Sequence, residues 1–578
     1  MRALPWRLAL SVSCVLLLAG HVNAAAQATQ PVQRWLVSQQ TVNTPNWLLG
    51  YASDAPARVP LGSLWKLWIY TYSVDHHLPD QPYACHAGRG APEGDEYCCS
   101  HDEMVSRDMA LVRSCGAYFQ PQRLHIQAAD WQRYWQRQAP QAAWLHHLQN
   151  LQPQTTVPIS DILNGLNSVP PQVIAQTRAA LLGRLLQPQW SEVLATLGGA
   201  YRFKTFTWAH PQRAGASIGG AAGWLADGTA FWLGGLGGSH QVVTQLSSTL
   251  LNRLPPPSQG MTLDDQCVVV RYFNRYPIKR LLRGQTSVTS GLLRGDYVVE
   301  FSNGQSLPIH ADGELSVQQP AHQPLEITGR LGLEGYVARV LDREGNAAET
   351  QAARALAVAA RSYVLQNAER HQGCLHIADD SRYQRVSPNP ASGPARSVAA
   401  FTEGLVLTGS PIRYHLDQAQ NGVFSWQAAV AQSRQGVGYM TLLKNAYPQA
   451  SWQLTDQAAQ CRPYTDAQRY LTVSLPRAQQ IMAGVAGFEP VKTVNVCLLD
   501  YGNPYADQQA LNIYVRDWRE QNDRITLWHE YLHLAMRYHP RGADEDWIEQ
   551  QARTLTAQLA LTTTAQPTSQ QRKIRHAQ

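Results

Sequence analysis

His529-Glu530-Tyr531-Leu532-His533 sets two histidines four residues apart around a glutamate. On a helix, positions i and i+4 share a face, so both imidazoles can reach one Zn²⁺ ion. Glu530 lies beside them and can take a proton from an attacking water, which is the chemistry of peptide hydrolysis. A second reactive pair is Ser63 and Lys66, one helical turn apart. There the amine can deprotonate the hydroxyl and make it a nucleophile. A helix N-terminus at Ser63 would add positive potential for an oxyanion.

Stepping outward from the histidines, Ile525, Leu527, Trp528, Leu532, Leu534 and Met536 predict an amphipathic helix. Leu511 to Val515 reads as a strand before it, Pro540 and Gly542 stop it, and a second helix starts near Asp544. This order resembles the zincin metallopeptidases, and it implies a substrate added along the strand's edge. Zinc needs a third protein ligand. Glu549 is the leading choice, because Trp547 to Ala552 resembles the W-x-x-E-G-x-A segment of gluzincins, with shorter spacing and Gln550 for Gly. His539 is the rival, at the offset of the metzincin pattern, although that pattern's Gly is Met536 here. Glu545 is a lesser candidate.

Around Ser63 the run Pro60 to Leu67 carries S-x-x-K, Ala110 to Phe119 contains Ser114, and Phe203-Lys204-Thr205-Phe206-Thr207 reads as a strand. Together they resemble penicillin-binding proteins and serine β-lactamases over about 45–240. The resemblance implies Ser63 as acylated nucleophile, Lys66 as its base, Ser114 as proton relay, and Lys204 and Thr205 as holders of a substrate carboxylate. Two positions depart from it: Gly116 replaces the usual Asn, and Phe206 replaces the Gly of K-T-G, where its ring would crowd a peptide lying along the strand.

Leu333 to Val340, the Ala-rich run Ala352 to Tyr363, and Phe401 to Leu407 resemble the stage II sporulation protein D (SpoIID) family over about 265–445. That family includes lytic transglycosylases of peptidoglycan. The resemblance implies Glu344 as the catalytic acid/base that protonates a leaving oxygen. The family's E-M-P is Glu344-Gly345-Asn346 here, and its Cys/His segment survives only as Cys374, His376 and Tyr383-Gln384.

The 578 residues predict three or four domains, and 44% hydrophobic against 16% charged content is enough to bury real cores. Arg2 and Arg7, the apolar run Leu8 to Gly20 and Val22-Asn23-Ala24 read as a secretory signal at 1–24. No later segment is apolar and long enough to span a membrane. A scattered net charge of +6 does not argue for nucleic acid. Of nine cysteines, Cys14 leaves with the signal, and the remaining eight face an oxidising compartment. Cys85, Cys98, Cys99 and Cys115 are expected to form disulfides; a zinc cluster is the rival, though the adjacency of Cys98 and Cys99 suits chelation poorly.

The expected chain is a multidomain α+β protein. A penicillin-binding-like domain spans 30–255 and ends in a Pro-rich linker at Leu254 to Ser258. A SpoIID-like domain, β-rich with a long helix near Ala347 to Ala368, spans 260–448. A zincin-like domain spans 449–562, and a disordered tail spans 563–578. The leading expectation is a periplasmic hydrolase of peptidoglycan or envelope peptides, with zinc as cofactor. The layout also resembles YfaQ-type periplasmic proteins, which accompany bacterial alpha-2-macroglobulins. That implies an alpha-2-macroglobulin-like protein as a candidate partner, served by a zinc protease or by a non-enzymatic helper with degenerate peptidoglycan-binding folds.

Overall fold

The computed structural model describes residues 34–39 and 58–564, apart from 88–97, 226–227, 253, 255–265, 321–322, 372, 416–421, 456–460, 500, 509, 517 and 543. The expected signal, most of the linker and nearly all of the tail lie outside these residues. The last helix, Glu545–Thr564, runs two residues into the stretch expected to be disordered.

In the first block, strands Arg34–Gln39, Ala230–Leu236, Ser217–Leu225 and Tyr201–Ala209 form one antiparallel sheet in that spatial order. Side chains alternate across a strand, so each face buries its own set. Phe206, Trp224 and Trp232 join the core made with helices Trp65–Asp75 and Ala128–Gln138. Tyr201, Phe203 and Leu233 face the other way, into a core shared with the middle block.

The middle block is an eight-stranded sheet spanning Cys267 to Ala378. Its long hairpin, Gly291–Phe301 with Ser306–Gln318, turns through Ser302 to Gln305, where Gly304 takes a positive φ of 83°. The Ala-rich helix is Thr350–Asn367, and small side chains let it bury nearly its whole circumference. Cys374 is tied to Cys267 across neighbouring strands.

One boundary expectation needs correction. Strand Ser451–Leu454 pairs with Leu405–Thr408, so the middle block extends past 448. The first and middle blocks also touch through buried residues, because one hydrophobic cluster includes residues from Leu182 to Leu454. At their seam Gly199 N donates to Phe401 O at 2.7 Å, and a Cβ on Gly199 would lie 2.3 Å from Glu403 O. Arg178 pairs with the Glu403 carboxylate at 2.8 Å, and buried Arg202 donates to the Glu403 carbonyl at 2.8 Å.

The C-terminal block carries a three-stranded sheet, Asn495–Leu498, Asn512–Val515 and Tyr505–Asp507, against helices Thr465–Met482, Gln521–Ala535 and Glu545–Thr564. All eight cysteines expected to persist are paired: 85–99, 98–115, 267–374 and 461–497. Among the described residues no helix is long and apolar enough to cross a membrane.

The Cys267–Cys374 bridge closes a loop with a sequence separation of 107. Changing both cysteines to alanine is expected to cost about 4 kcal/mol, mainly by freeing the unfolded chain. The reading is a lower urea midpoint; an unchanged midpoint would contradict it.

Candidate functional site

Ser63 lies in a short 3-10 turn, Gly62–Leu64, directly before helix Trp65–Asp75. Lys66 is buried in the first turn of that helix and reaches Ser63 Oγ at 3.4 Å. It is nearer to Ser114, donating to the carbonyl at 2.6 Å and to Oγ at 3.2 Å. Ser114 ends helix Arg107–Arg113 in a left-handed conformation, φ 65°. Its neighbour Cys115 is bonded to Cys98, and Cys99 to Cys85, so two disulfides pin this loop. From the sheet, Lys204 donates to Ser114 Oγ at 2.8 Å and to Thr205 O at 3.1 Å. The structure therefore brings Ser63, Lys66, Ser114 and Lys204 together. Thr205 supplies its carbonyl, and its side chain is buried. Phe206 does not crowd the site as expected: its ring is buried in the core, stacked with Trp232 at 5.9 Å. Burial first, then Lys66 and Arg184, hold the Lys204 ammonium well below lysine's usual range.

In the middle block Glu344 is the last residue of helix Leu333–Glu344. It is half-buried and bonded. Arg385 N donates to Oε1 at 2.8 Å, and Tyr414 OH donates to Oε2 at 2.7 Å. Gln384 Nε2 donates to the Tyr414 oxygen at 2.8 Å, and Tyr336 OH donates to Gln384 Oε1. Burial raises the Glu344 carboxyl from its ordinary value, against the two hydrogen bonds that lower it. Cys374 is locked in a disulfide and is not available as a metal ligand. Tyr414, absent from the sequence reading, lies outside every motif quoted above; only the fold brings it to Glu344.

In the C-terminal block helix Gln521–Ala535 begins with a capping box between Glu520 and Asp523. It presents His529 and His533 on one face, their Nε2 atoms 3.0 Å apart. After Met536 the chain turns sharply. A Cβ on Gly542 would lie 2.0 Å from Met536 O, so the turn requires glycine. The returning helix places Glu545 3.0 Å from His529 Nε2 and 3.4 Å from His533 Nε2. Donor atoms of His529, His533 and Glu545 all lie within 4.8 Å of one another.

Of the candidate third ligands, Glu545 is the one beside both Nε2 atoms. Glu549 sits one turn further on and holds the opposite ring nitrogen, His529 Nδ1, at 2.9 Å. His539 is stacked flat on Trp547 at 4.7 Å. The sequence signal for Glu545 was its i, i+4 relation to Glu549, which puts both on one helical face. Strand Asn512–Val515 is also not an edge: it is paired on both sides, so substrate cannot add to it.

His533 Nδ1 contacts Gly542 O at 3.1 Å, so both rings are held from behind. Burial would lower His529, but Glu545, Glu530 and Glu549 raise it to about 9. Burial pushes Glu530 up to about 7. Burial would likewise raise Glu545, but the two imidazoles hold it well below the usual carboxylate range. The cluster concentrates carboxylates around two imidazoles, a setting that suits a divalent cation.

The comparisons with known proteins fall on this framework. The family described as "Predicted secreted protein (DUF2300)" matches residues 90–213 and 422–541, on either side of a match to "Stage II sporulation protein" (SpoIID) at 321–408. "Uncharacterized protein YfaQ" of Escherichia coli (strain K12) is 41% identical over 508 residues, covering 87% of this chain and 90% of that protein. The chain belongs to the YfaQ family. The match to a secreted family, with four disulfides, makes this YfaQ-family member a periplasmic protein.

Solved structures similar to part of it include a class A beta-lactamase of the last common ancestor of Gram-negative bacteria, 13% identical, covering 38% of this chain and 93% of that one, TM-score 0.26. A beta lactamase from Xanthomonas campestris is 11% identical over 39% of this chain and 93% of that one, TM-score 0.26.

Lys204 gives a pH test. The unfolded chain keeps that lysine's proton up to about pH 10.4. The folded protein releases it earlier, so the unfolded state binds more protons in the window between. Stability should therefore rise with pH through that window in the native sequence and not in Lys204→Met. Melting midpoints taken stepwise from neutral to alkaline pH read this directly; parallel curves would mean the buried amine keeps its proton.

Proposed function

We propose that the protein is a secreted zinc-dependent peptidase acting on envelope peptides or on the peptides of peptidoglycan. The observation that carries this reading is the convergence of His529 Nε2, His533 Nε2 and a Glu545 carboxylate within 4.8 Å. Two imidazoles and one carboxylate form a donor set that suits zinc and leaves a position open, as catalytic sites do. The residues fit the ion, because Glu549 and Gly542 O already hold the Nδ1 atoms and leave both Nε2 atoms to converge. Bound zinc would supply Lewis acidity toward a scissile carbonyl. Glu530, buried beside His529, is the group to take a proton from water and return it to the leaving amine. The SpoIID match supports a peptidoglycan setting for the substrate.

A second reading concerns the first block. Lys66 and Lys204 converge on Ser114 Oγ while Lys66 also reaches Ser63. That network supports acyl transfer through Ser63, with Lys66 as base and Ser114 passing the proton between the two amines.

Elemental analysis of the mature protein is expected to find one zinc per chain. Glu545→Ala should lose it, Glu549→Ala should bind it about 10–100-fold more weakly, and His539→Ala should keep it. Glu530→Gln should retain zinc and lose about 10²–10⁴-fold in release of stem peptides from purified sacculi or in cleavage of a peptide library. Protein without zinc, or Glu530→Gln as active as the native sequence, would sink the peptidase reading. For the second reading, incubation with a β-lactam should add its mass at Ser63 and leave Ser63→Ala unchanged. A native chain that stays unmodified would leave the first block as a binding fold.

A further inference from the structure

A cavity of about 600 Å³ opens in the first block, and none of its lining residues belongs to the three constellations. Helix Trp65–Asp75 ends there at Asp75, and its 11 residues put that end about 16 Å from the turn of Ser63. Helices Ala128–Gln138 and Ile159–Asn167 also end at its wall, and Pro171–Leu185 begins there. The volume is that of a small-molecule site, typically about 300–1,000 Å³.

The wall is rich in carboxamides: Gln138, Gln141, Asn164, Asn167 and Gln172 line it beside the Asp75 carboxylate. None of these five amide groups has a hydrogen-bond partner among the described residues. Each offers two donors and an acceptor. Asn167 Nδ2 is buried and unpaired, which is costly, and turning toward an acceptor in the cavity removes that cost. A cation cannot use these donors. An anion would meet Asp75 and the negative ends of three helices. A neutral ligand that both donates and accepts fits the whole set. Pro140 and Val169 add apolar wall, and the proline ring keeps its backbone stiff. We propose that this cavity binds a short neutral saccharide carrying acetamido groups. Its hydroxyls donate to Asp75 and accept from the carboxamides. Each acetamido group pairs its N–H and C=O with side-chain amides and packs its methyl on Pro140 and Val169. The inference stands apart from the zinc and serine readings.

The test is calorimetric titration of the mature protein with tri-N-acetylchitotriose, with maltotriose, and with N-acetyl-alanyl-alanine amide. The acetamido trisaccharide should bind saturably, and the other two about tenfold or more weakly. Zinc-stripped protein should bind it as well as untreated protein does. Asn167→Leu removes the unpaired donor and should weaken binding about tenfold. Gln141→Trp, in the exposed loop after Ala128–Gln138, fills the cavity and should lose binding; it decides the matter if Asn167→Leu shows an altered melting midpoint. No binding of the trisaccharide, equal binding of maltotriose or of the peptide amide, binding that disappears with zinc, or full affinity in Gln141→Trp would each overturn the proposal.

Discussion

The seam around Glu403 is the constraint on which the rest of the molecule depends. Phe401, buried at 3% exposure, and the carbonyls of residues 401 and 403 lie directly on Gly198 and Gly199. Arg202, almost wholly buried, donates to the Glu403 carbonyl, and Arg178 takes the carboxylate. Buried charges persist when their hydrogen bonds are met, and removing one partner of such a set typically costs about 3–5 kcal/mol. The contact therefore fixes orientation as well as proximity. Above it, the outer face of the first sheet packs on helix Ser239–Leu251 of its own block, where Tyr201 OH donates to Leu250 O at 2.6 Å, and this core continues into the middle block.

The C-terminal block is fastened to the middle block by hydrogen bonds to its backbone and by the Arg370 guanidinium over Tyr505. Asn503 N donates to Gln366 O at 2.8 Å, its side chain donates to Asn367 O at 3.1 Å, and Gly502 packs against the Gln366 backbone. The long Ala-rich helix thus ends where the last block begins. The two DUF2300 segments bracket the SpoIID segment along the chain, and the core that begins in the first segment takes in the start of the second, as far as Leu454.

Each chemically armed cluster is built the same way, with one rigid helix and one returning segment. Helix Trp65–Asp75 carries Lys66, and a doubly disulfide-pinned loop returns Ser114 to it. Helix Leu333–Glu344 carries Glu344, and Tyr414 returns from a short strand, Arg413–His415. Helix Gln521–Ala535 carries the two histidines, and a turn closed at Gly542 returns Glu545. The helix fixes direction, and the return sets what faces it.

The sequence by itself determined what local periodicity and spacing control. The helix through His529 and His533, the long Ala-rich helix and the expectation of disulfides among Cys85, Cys98, Cys99 and Cys115, though not their connectivity, were legible, because each is specified by residues close in the chain. Tertiary structure decided everything that needed a return path. It set Glu545, and not Glu549 or His539, beside both Nε2 atoms, since the tightness of a turn at Gly542 sets which helical position comes level with them. It turned Phe206 away from the serine, paired both edges of Asn512–Val515, and joined buried residues of the first and middle blocks in one cluster. Those outcomes depend on which surfaces bury one another across hundreds of residues, and no local pattern encodes that separation.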